Sequence, residues 1–286
     1  MKKCIIFFLN FFLLCLVGQV FSQDWGVVKI DKEYEISDTK PLEVIVDVDA
    51  GEVNITKNNK GKTAAVYMEY TKDDFRGTTQ YDEESNRLKI ILDSKGLFRN
   101  YDNTVAELRL QLPYAVVIFF DAKIKAGEIF MSMGGLRLKE FMVNNWAGEI
   151  DIDFDEPNGE IMDFLGIKTR AGELTCSKLG NARFEKADIN GGVGELEVDF
   201  TGDLVDNCMA KVDLDIGELY TRLPRDRGIK IKIGGWSFLS EKNIDSYLYK
   251  RGSFYYSEGY TTSKEKFYLR ISPGLGEFTL DCINEN

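Results

Sequence analysis

Carboxylates that alternate along one stretch of the chain are the residues best suited to chemistry. Asp151, Asp153 and Asp155 alternate with apolar residues, and Glu156 follows them. Side chains two positions apart share a face of a strand, so the three aspartates are expected on one acidic face. Carboxylate pairs act as acid and base in enzymes that hydrolyse polysaccharides. With 47 acidic residues in the chain, such a pair arises readily, so we predict a solvated face and no catalytic residues. A carbohydrate-active β-helix enzyme is the alternative.

The chain contains no histidine. This removes a principal ligand from the commonest zinc, copper and haem sites and excludes Ser-His and Cys-His nucleophiles. Beyond residue 22 the cysteines are Cys176, Cys208 and Cys282, an odd number without C-x-x-C spacing. Cys176 occupies an inward strand position and is expected as a buried thiol, whereas Cys282 could pair with a neighbour that the sequence does not identify. We predict no cofactor, no metal site and no enzyme activity.

An aromatic segment near the C-terminus is the strongest sequence signal for a binding surface. Exposed aromatic rings stack on sugars or anchor protein partners. Alternation implies that some of these rings face the core, where aromatics are ordinary strand residues. The segment also contains Phe254 and Tyr256. We predict a partner surface formed by Trp236, Tyr247, Tyr249, Tyr255 and Tyr260.

A Gly-Glu pair that opens an apolar-polar alternation occurs seven times and must organise the fold around these groups. The four consecutive central steps are 21, 24, 22 and 23 residues. Glycine adopts positive φ at a corner without steric cost, and its missing side chain lets neighbouring coils approach. We predict structural corners, each at the start of a rung, at Gly51, Gly127, Gly148, Gly172, Gly194, Gly217 and Gly276.

Each Gly-Glu pair opens a stretch of strict apolar-polar alternation, as after Gly148 and Gly194. This alternation is typical of a strand with one buried face. Each unit then turns and offers further short apolar segments, such as residues 182–184 and 187–189. A rung of about 22 residues at about 3.3 Å per residue has a contour of about 70 Å, enough for three short strands. We predict parallel rungs stacked into a β-solenoid.

Stacked rungs would align five glutamates in an outward ladder. Their spacing would be about 4.8 Å, and neighbours would repel by about 1 kcal/mol in water before salt screening. We expect solvation and nearby Lys or Arg side chains to relieve this repulsion, and a bound cation such as Ca²⁺ is the alternative. The ladder comprises Glu128, Glu149, Glu173, Glu195 and Glu218.

Outside the regular repeats, apolar runs separated by polar turns predict strands of less regular length. No sustained helical periodicity occurs. The predicted strands are residues 42–48, 64–70, 87–92 and 105–112 before the array, and residues 228–233, 247–249, 254–256 and 267–271 after it. We predict an all-β chain with a signal peptide at 1–22 and one domain at 23–286. That domain divides into an antiparallel N-terminal cap and first rung (23–120), regular Gly-Glu repeats (121–224), and irregular aromatic-rich C-terminal rungs that form a modified cap (225–286).

The N-terminus has the pattern of a secretory signal, with Lys2 and Lys3 before an apolar run and a cleavage site after Ser22. An uncleaved anchor is the alternative, although the run is shorter than the roughly 20 residues of a membrane span. Cleavage removes two lysines and no acidic residue, so the net charge of −11 becomes −13. This charge argues against nucleic acid and anionic lipid as partners. We predict an exported protein, periplasmic, envelope-bound or extracellular, with no integral membrane span after cleavage.

Three segments resemble the bacterial toast-rack, or putative adhesin, domains related to the C-terminal part of LiaF-like envelope proteins. They are residues 42–55 (LEVIVDVDAGEVNI), 110–131 (LQLPYAVVIFFDAKIKAGEIFM) and 251–280 (RGSFYYSEGYTTSKEKFYLRISPGLGEFTL). The resemblance implies a right-handed parallel β-solenoid at the cell envelope, with roles in surface attachment or stress sensing. LiaF-like regulators carry transmembrane helices before this domain, and this chain has only the N-terminal apolar segment. We expect a non-catalytic binding or adhesion scaffold whose partner is a protein or cell-surface glycan, with an envelope-stress regulator as a further alternative.

Overall fold

A computed structural model describes residues 26–96, 104–234 and 240–284. Within these ranges the protein is all-β, with seventeen strands in one mixed sheet, two short 3-10 turns at Leu179–Ala182 and Glu258–Thr261, and no α-helix. The predicted signal peptide lies outside the described residues.

The strands are β1 (Val27–Glu35), β2 (Leu42–Lys57), β3 (Thr63–Thr71), β4 (Phe75–Asp82), β5 (Arg87–Ser94), β6 (Ala106–Leu112), β7 (Ile118–Ser132), β8 (Leu138–Asp153), β9 (Phe164–Ser177), β10 (Lys186–Asp199), β11 (Cys208–Pro224), β12 (Gly228–Ile233), β13 (Ser240–Ile244), β14 (Leu248–Arg251), β15 (Phe254–Ser257), β16 (Lys266–Ser272) and β17 (Leu275–Ile283).

The centre of the sheet is a parallel stack of long strands. β2, β7, β8, β9, β10 and β11 pair in that order, each parallel to the next. Beyond β11 the rung divides into β16 and β17, and on the far side of β2 it divides into β5 and β6. The six central strands contain 14 to 17 residues. Most of each rung is thus one long strand, and the prediction of three short strands per rung was wrong.

The segment at residues 182–184 shows why the shorter strands do not form. It overlaps the 3-10 turn and makes a single bridge, between Met162 and Phe184. Lys178 and Arg183, on either side of this turn, have left-handed φ values of 50° and 55°. A left-handed residue cannot continue an extended strand, so the chain turns here. Residues 187–189 instead belong to the long strand β10.

In six of the seven repeats the glycine lies inside a continuous strand and not at a rung start, whereas Gly276 is the second residue of β17. On β8, Val143 and Asn145 face inward before Gly148, whereas Ile150 and Ile152 face inward after it. The inward positions therefore change from odd to even numbers across the glycine. The seven repeat glycines have φ between +116° and +140°, a region that side chains other than glycine rarely adopt. This conformation bends each strand so that both halves face one core.

Stacked glycines also allow the rungs to approach closely. A Cβ built on any repeat glycine from Gly127 onward would lie 1.8–2.0 Å from the carbonyl oxygen of the preceding rung's glycine. At Gly51 the corresponding contact is 2.4 Å, to the carbonyl oxygen of Ala106. Such distances are far shorter than a van der Waals contact. Both the backbone conformation and the interstrand space therefore require glycine here.

Buried asparagines join successive rungs at their turns. Asn158 is 1% exposed. Its Nδ2 donates to the carbonyl oxygens of Leu138 and Glu160 at 2.8 and 2.9 Å, and its Oδ1 accepts from the Leu138 amide at 2.8 Å. Asn181 Nδ2 donates to the Phe154 carbonyl oxygen at 2.8 Å. These bonds satisfy backbone groups that a turn would otherwise leave unpaired.

Antiparallel strands extend the sheet at both ends of the stack. β3 pairs antiparallel with β1 and β6, and β4 pairs antiparallel with β5. At the other end β12 and β13 are parallel to β16 and β17, and β15 is antiparallel to β12 and β14. The sequence did not indicate β1, β4 or β13, because polar and charged residues interrupt their apolar patterns. The predicted strand at 42–48 continues through Gly51 to Lys57.

Candidate binding surfaces

The predicted acidic face lies on an open stretch of chain at the end of β8. Asp151 and Asp155 are exposed and Asp153 is half-buried. Burial raises the pKa of the Asp153 carboxyl above its ordinary value, the charge of Asp155 raises it further, and Lys178 opposes the shift. Glu156, the next carboxylate, forms an ion pair with Lys57. The site is a local concentration of charge on an accessible strand face.

The glutamate ladder is longer than the sequence indicated. The register of the paired strands aligns the five predicted glutamates, and further glutamates on neighbouring strands extend the row in both directions. Eight of the nine members are exposed, and Glu107 is half-buried. Within the described ranges, no group of three or more Cys, Asp or Glu side chains is arranged to hold a metal ion. In strand order the ladder is Glu107, Glu52, Glu128, Glu149, Glu173, Glu195, Glu218, Glu277 and Glu241.

An open groove follows the ladder across the last rungs. Its walls include the glutamates of four rungs, from Glu173 to Glu277, and the ring of Tyr220. Two positions before the glutamates, Val193, Ile216 and Leu275 pair across three strands and are 53%, 48% and 40% exposed. This part of the surface therefore combines a row of carboxylates with a short aliphatic row.

The predicted aromatic surface divides into inward and outward side chains. Tyr247 and Tyr255 pack against the hydrophobic core. The Tyr247 hydroxyl donates to the Arg225 carbonyl oxygen at 2.8 Å, and burial raises the pKa of this phenol. Tyr249 is 43% exposed, and Tyr260 is half-buried. Trp236 lies outside the described residues.

Outward side chains of five strands form a continuous surface at the C-terminal end, which we name the cationic–aromatic face. One row runs Tyr249, Tyr256, Lys230, Tyr268 and Met209 across β14, β15, β12, β16 and β11. Alternate residues on the same strands add further rings and charges. The face is defined by these five residues with Phe254, Lys232, Arg251, Lys266 and Arg270 from the same strands and Tyr260 from the 3-10 turn at Glu258–Thr261.

The rings and cations of this face contact one another directly. Tyr256 lies 5.9 Å from the stacked ring of Tyr249 and 5.1 Å from that of Tyr260, between ring centroids. The Lys230 ammonium lies 4.3 Å from the Phe254 centroid and 5.7 Å from that of Tyr268. Cation–π attraction at these distances holds the lysine over the rings. The rings and cations thus form one surface.

Sequence reasoning missed the cationic members of this face. Lys230 and Lys232 alternate with buried isoleucines on β12, and Tyr268 and Arg270 alternate with buried residues on β16. Both strands were predicted, so the outward alternation was a usable signal. This alternation was not sufficient, because it does not determine which strands become neighbours in the sheet.

The three cysteines in the described part of the chain, Cys176, Cys208 and Cys282, are buried, free thiols. Burial raises the pKa of Cys208 and Cys282 to about 12, and raises that of Cys176 further. A thiol with a raised pKa forms little thiolate near neutral pH, and the thiolate is the reactive form. The suggested pairing of Cys282 is absent among the described residues.

The fold places the protein in the class of all-β proteins built from stacked, largely parallel rungs. Residues 24–165 match the family model of the N-terminal domain of toast_rack, DUF2154. This part of the chain belongs to the toast-rack family, in agreement with the resemblance of residues 42–55 and 110–131. No match was found among curated proteins. In the described part of the chain, no helix has the length and apolar character needed to cross a bilayer.

Solved structures give similarities of low sequence identity. A "putative cell adhesion protein" from Clostridium sporogenes ATCC 15579 is 15% identical with a TM-score of 0.45, covering 90% of this chain and 100% of its own. A "putative adhesin" from Bacteroides fragilis NCTC 9343 is 10% identical with a TM-score of 0.33, covering 90% and 97%. A "putative lipid binding protein" from Parabacteroides distasonis ATCC 8503 is 11% identical with a TM-score of 0.28, covering 89% and 96%.

Proposed function

We propose that this chain is exported and acts, without catalysis, as a rigid binding or adhesion scaffold at the cell envelope or cell surface. The observation that carries the proposal is the strict register of the stack, in which equivalent residues of successive rungs pair from Gly51 to Gly276. Such register holds outward side chains in fixed rows. Because these rows are already ordered, binding of a repetitive partner costs less side-chain entropy.

The proposal includes a domain organisation. A leader at 1–22 is removed on export, and residues 23–286 form one right-handed solenoid domain. Residues 23–120 form its N-terminal cap and first rung, 121–224 its regular repeats, and 225–286 its C-terminal rungs and modified cap. A cap is needed at each end because a stacked array otherwise exposes a pairing edge.

The full chain expressed in a bacterium with an outer membrane tests export and binding together. We expect mass spectrometry of the exported protein to find Gln23 at its N-terminus, and the protein to attach to intact bacterial cells. Retention in the cytoplasm with an intact leader would contradict the proposal. So would polysaccharide cleavage by the purified protein that disappears on changing Asp151→Ala or Asp153→Ala, since this is the outcome of the enzyme alternative.

A further inference from the structure

We propose that the cationic–aromatic face binds an acidic polysaccharide whose sugars carry carboxylate or sulfate groups. The inference deepens the proposed scaffold function and rests on it. It assigns the ligand chemistry to one surface, at the C-terminal end of the sheet, and excludes the glutamate ladder from direct contact with that ligand. Three features of the face carry it: the ring array, the unpaired cations, and the contrast in charge with the remaining protein.

The rings are arranged as a platform. From Tyr249 to Met209 the row crosses five strands, which at about 4.8 Å per strand spacing gives a length of about 19 Å. Tyr249 and Tyr256 stack at 29° between ring planes. Tyr249 is 43% exposed and leaves part of its ring open to the C–H groups of a sugar, and the tyrosine hydroxyls add hydrogen-bonding groups. A chain of several sugars fits a platform of this length.

The cations of the face have no carboxylate partner. Among the described residues, no acidic side chain lies within 4.0 Å of Lys230, Lys232, Arg251, Lys266 or Arg270. An aromatic ring attracts the Lys230 ammonium but accepts no conventional hydrogen bond, so its three donors remain available. Carboxylate or sulfate oxygens on a bound sugar would satisfy these donors.

The remaining protein makes this clustering unusual. The chain has 47 acidic and 36 basic residues, so a typical lysine has acidic neighbours available. On the adjoining part of the same sheet, Lys211 pairs with Asp188 and Asp213. On this face the cations lie among aromatic rings, with Lys230 over Phe254 and Tyr268 and Lys266 over Tyr260, and this combination favours an anionic ligand that also stacks.

The net charge of −11 favours a sparsely charged polymer over nucleic acid. Double-stranded DNA carries one negative charge per about 1.7 Å of its axis, whereas an acidic polysaccharide with one charge per sugar is less dense. Long-range repulsion from the acidic protein grows with the charge of the ligand. The face can therefore bind a polysaccharide at a smaller electrostatic cost.

The test measures binding of the exported, mature protein to polygalacturonate by calorimetry in EDTA, with neutral dextran as the uncharged control. Lightly substituted dextran sulfate, which carries sulfate but no carboxylate, is the second probe and distinguishes sulfate from carboxylate. The double variant Lys230→Gln/Arg270→Gln is compared with Lys89→Gln/Lys123→Gln, which removes equal charge from two exposed lysines outside the face. If the first variant does not fold by circular dichroism, Lys232→Gln/Arg251→Gln replaces it.

We expect binding of at least one acidic polymer and none of dextran, with affinity that falls as salt is added. The face variant should lose about tenfold in affinity, as expected for two exposed ion pairs, and the control variant less than about twofold. Equal loss in both variants, equal binding of dextran, or tighter binding of single-stranded DNA or phosphatidylglycerol vesicles would overturn the proposal. Attachment to cells without binding to either acidic polymer would also overturn it while leaving the scaffold function intact, whereas failure of export would refute the scaffold function itself.

Discussion

Replacing a stacked glycine tests the physical origin of the repeat. Gly194 has φ +139°, and a Cβ at this position would lie 1.9 Å from the Gly172 carbonyl oxygen. Gly194→Ala therefore imposes a rarely populated backbone conformation and a steric overlap with backbone. Neither is relieved by rotating a side chain, because the neighbouring atom belongs to the adjacent strand. The strands must separate or the bend must change.

The expected loss of stability is about 2–6 kcal/mol. Rarely populated backbone conformations cost about 1–3 kcal/mol each, and forcing extra atoms into a packed site costs about another 1–3 kcal/mol. Domains are stable by about 5–15 kcal/mol in total. A single methyl group could thus remove a large part of the stability of the fold.

Urea unfolding followed by circular dichroism measures this loss. Two glycines with no atom within 4 Å of a built Cβ serve as controls. Gly252→Ala imposes a left-handed conformation alone, because φ is +62° there, and should cost about 1–2 kcal/mol. Gly259→Ala imposes neither strain nor overlap and should change stability little. If Gly194→Ala costs no more than Gly252→Ala, close approach of the rungs does not explain the glycine repeat.

Other predictions concern the turns, acid sensitivity and the thiols. Asn158→Ala removes two buried hydrogen bonds with Leu138 and a part-buried one to the Glu160 carbonyl oxygen, and should cost about 2–4 kcal/mol in the same urea assay. Burial alone would raise the pKa of Asp245, but bonds from two backbone amides and Arg225 outweigh it and hold the pKa below the ordinary 3.8. Its stabilising contribution is present above that value and lost as pH falls through the lower folded-state value, so Asp245→Asn should flatten the loss of stability in acid. Cys176 should react with iodoacetamide at pH 8 only in urea, because burial raises its pKa.

The repeat could be predicted because two independent signals coincided. Gly-Glu pairs at steps of 21 to 24 residues gave the register, and alternation after each pair gave the buried face. The position of the glycine within the strand was not predictable in the same way. Trp146 and Ala147, both exposed, interrupt the alternation before Gly148 and give the pattern of a strand end. Backbone pairing continues through the bend because glycine tolerates its φ.

The cationic–aromatic face was only partly predictable. Alternation indicated that some aromatics of the C-terminal segment face the core, and Tyr247 and Tyr255 do so. The pairing of Lys230 with Tyr256 and Tyr268 joins residues 26 and 38 positions apart. Such pairings depend on the order of strands in the sheet, which local patterns do not encode. The five predicted members of the glutamate ladder could be aligned because each belongs to the repeated Gly-Glu motif. Glu107 and Glu241 lie outside that motif, and placing them required the strand order.

Hydrogen–deuterium exchange with bound polygalacturonate tests the central claim most directly, because it locates the ligand on the full exported protein. We predict that the polymer slows exchange in peptides from β12, β14, β15 and β16, with little change along the glutamate ladder. Protection centred on Asp151 to Asp155, or on the carboxylate groove from Glu173 to Glu277, would contradict the assignment of the binding surface.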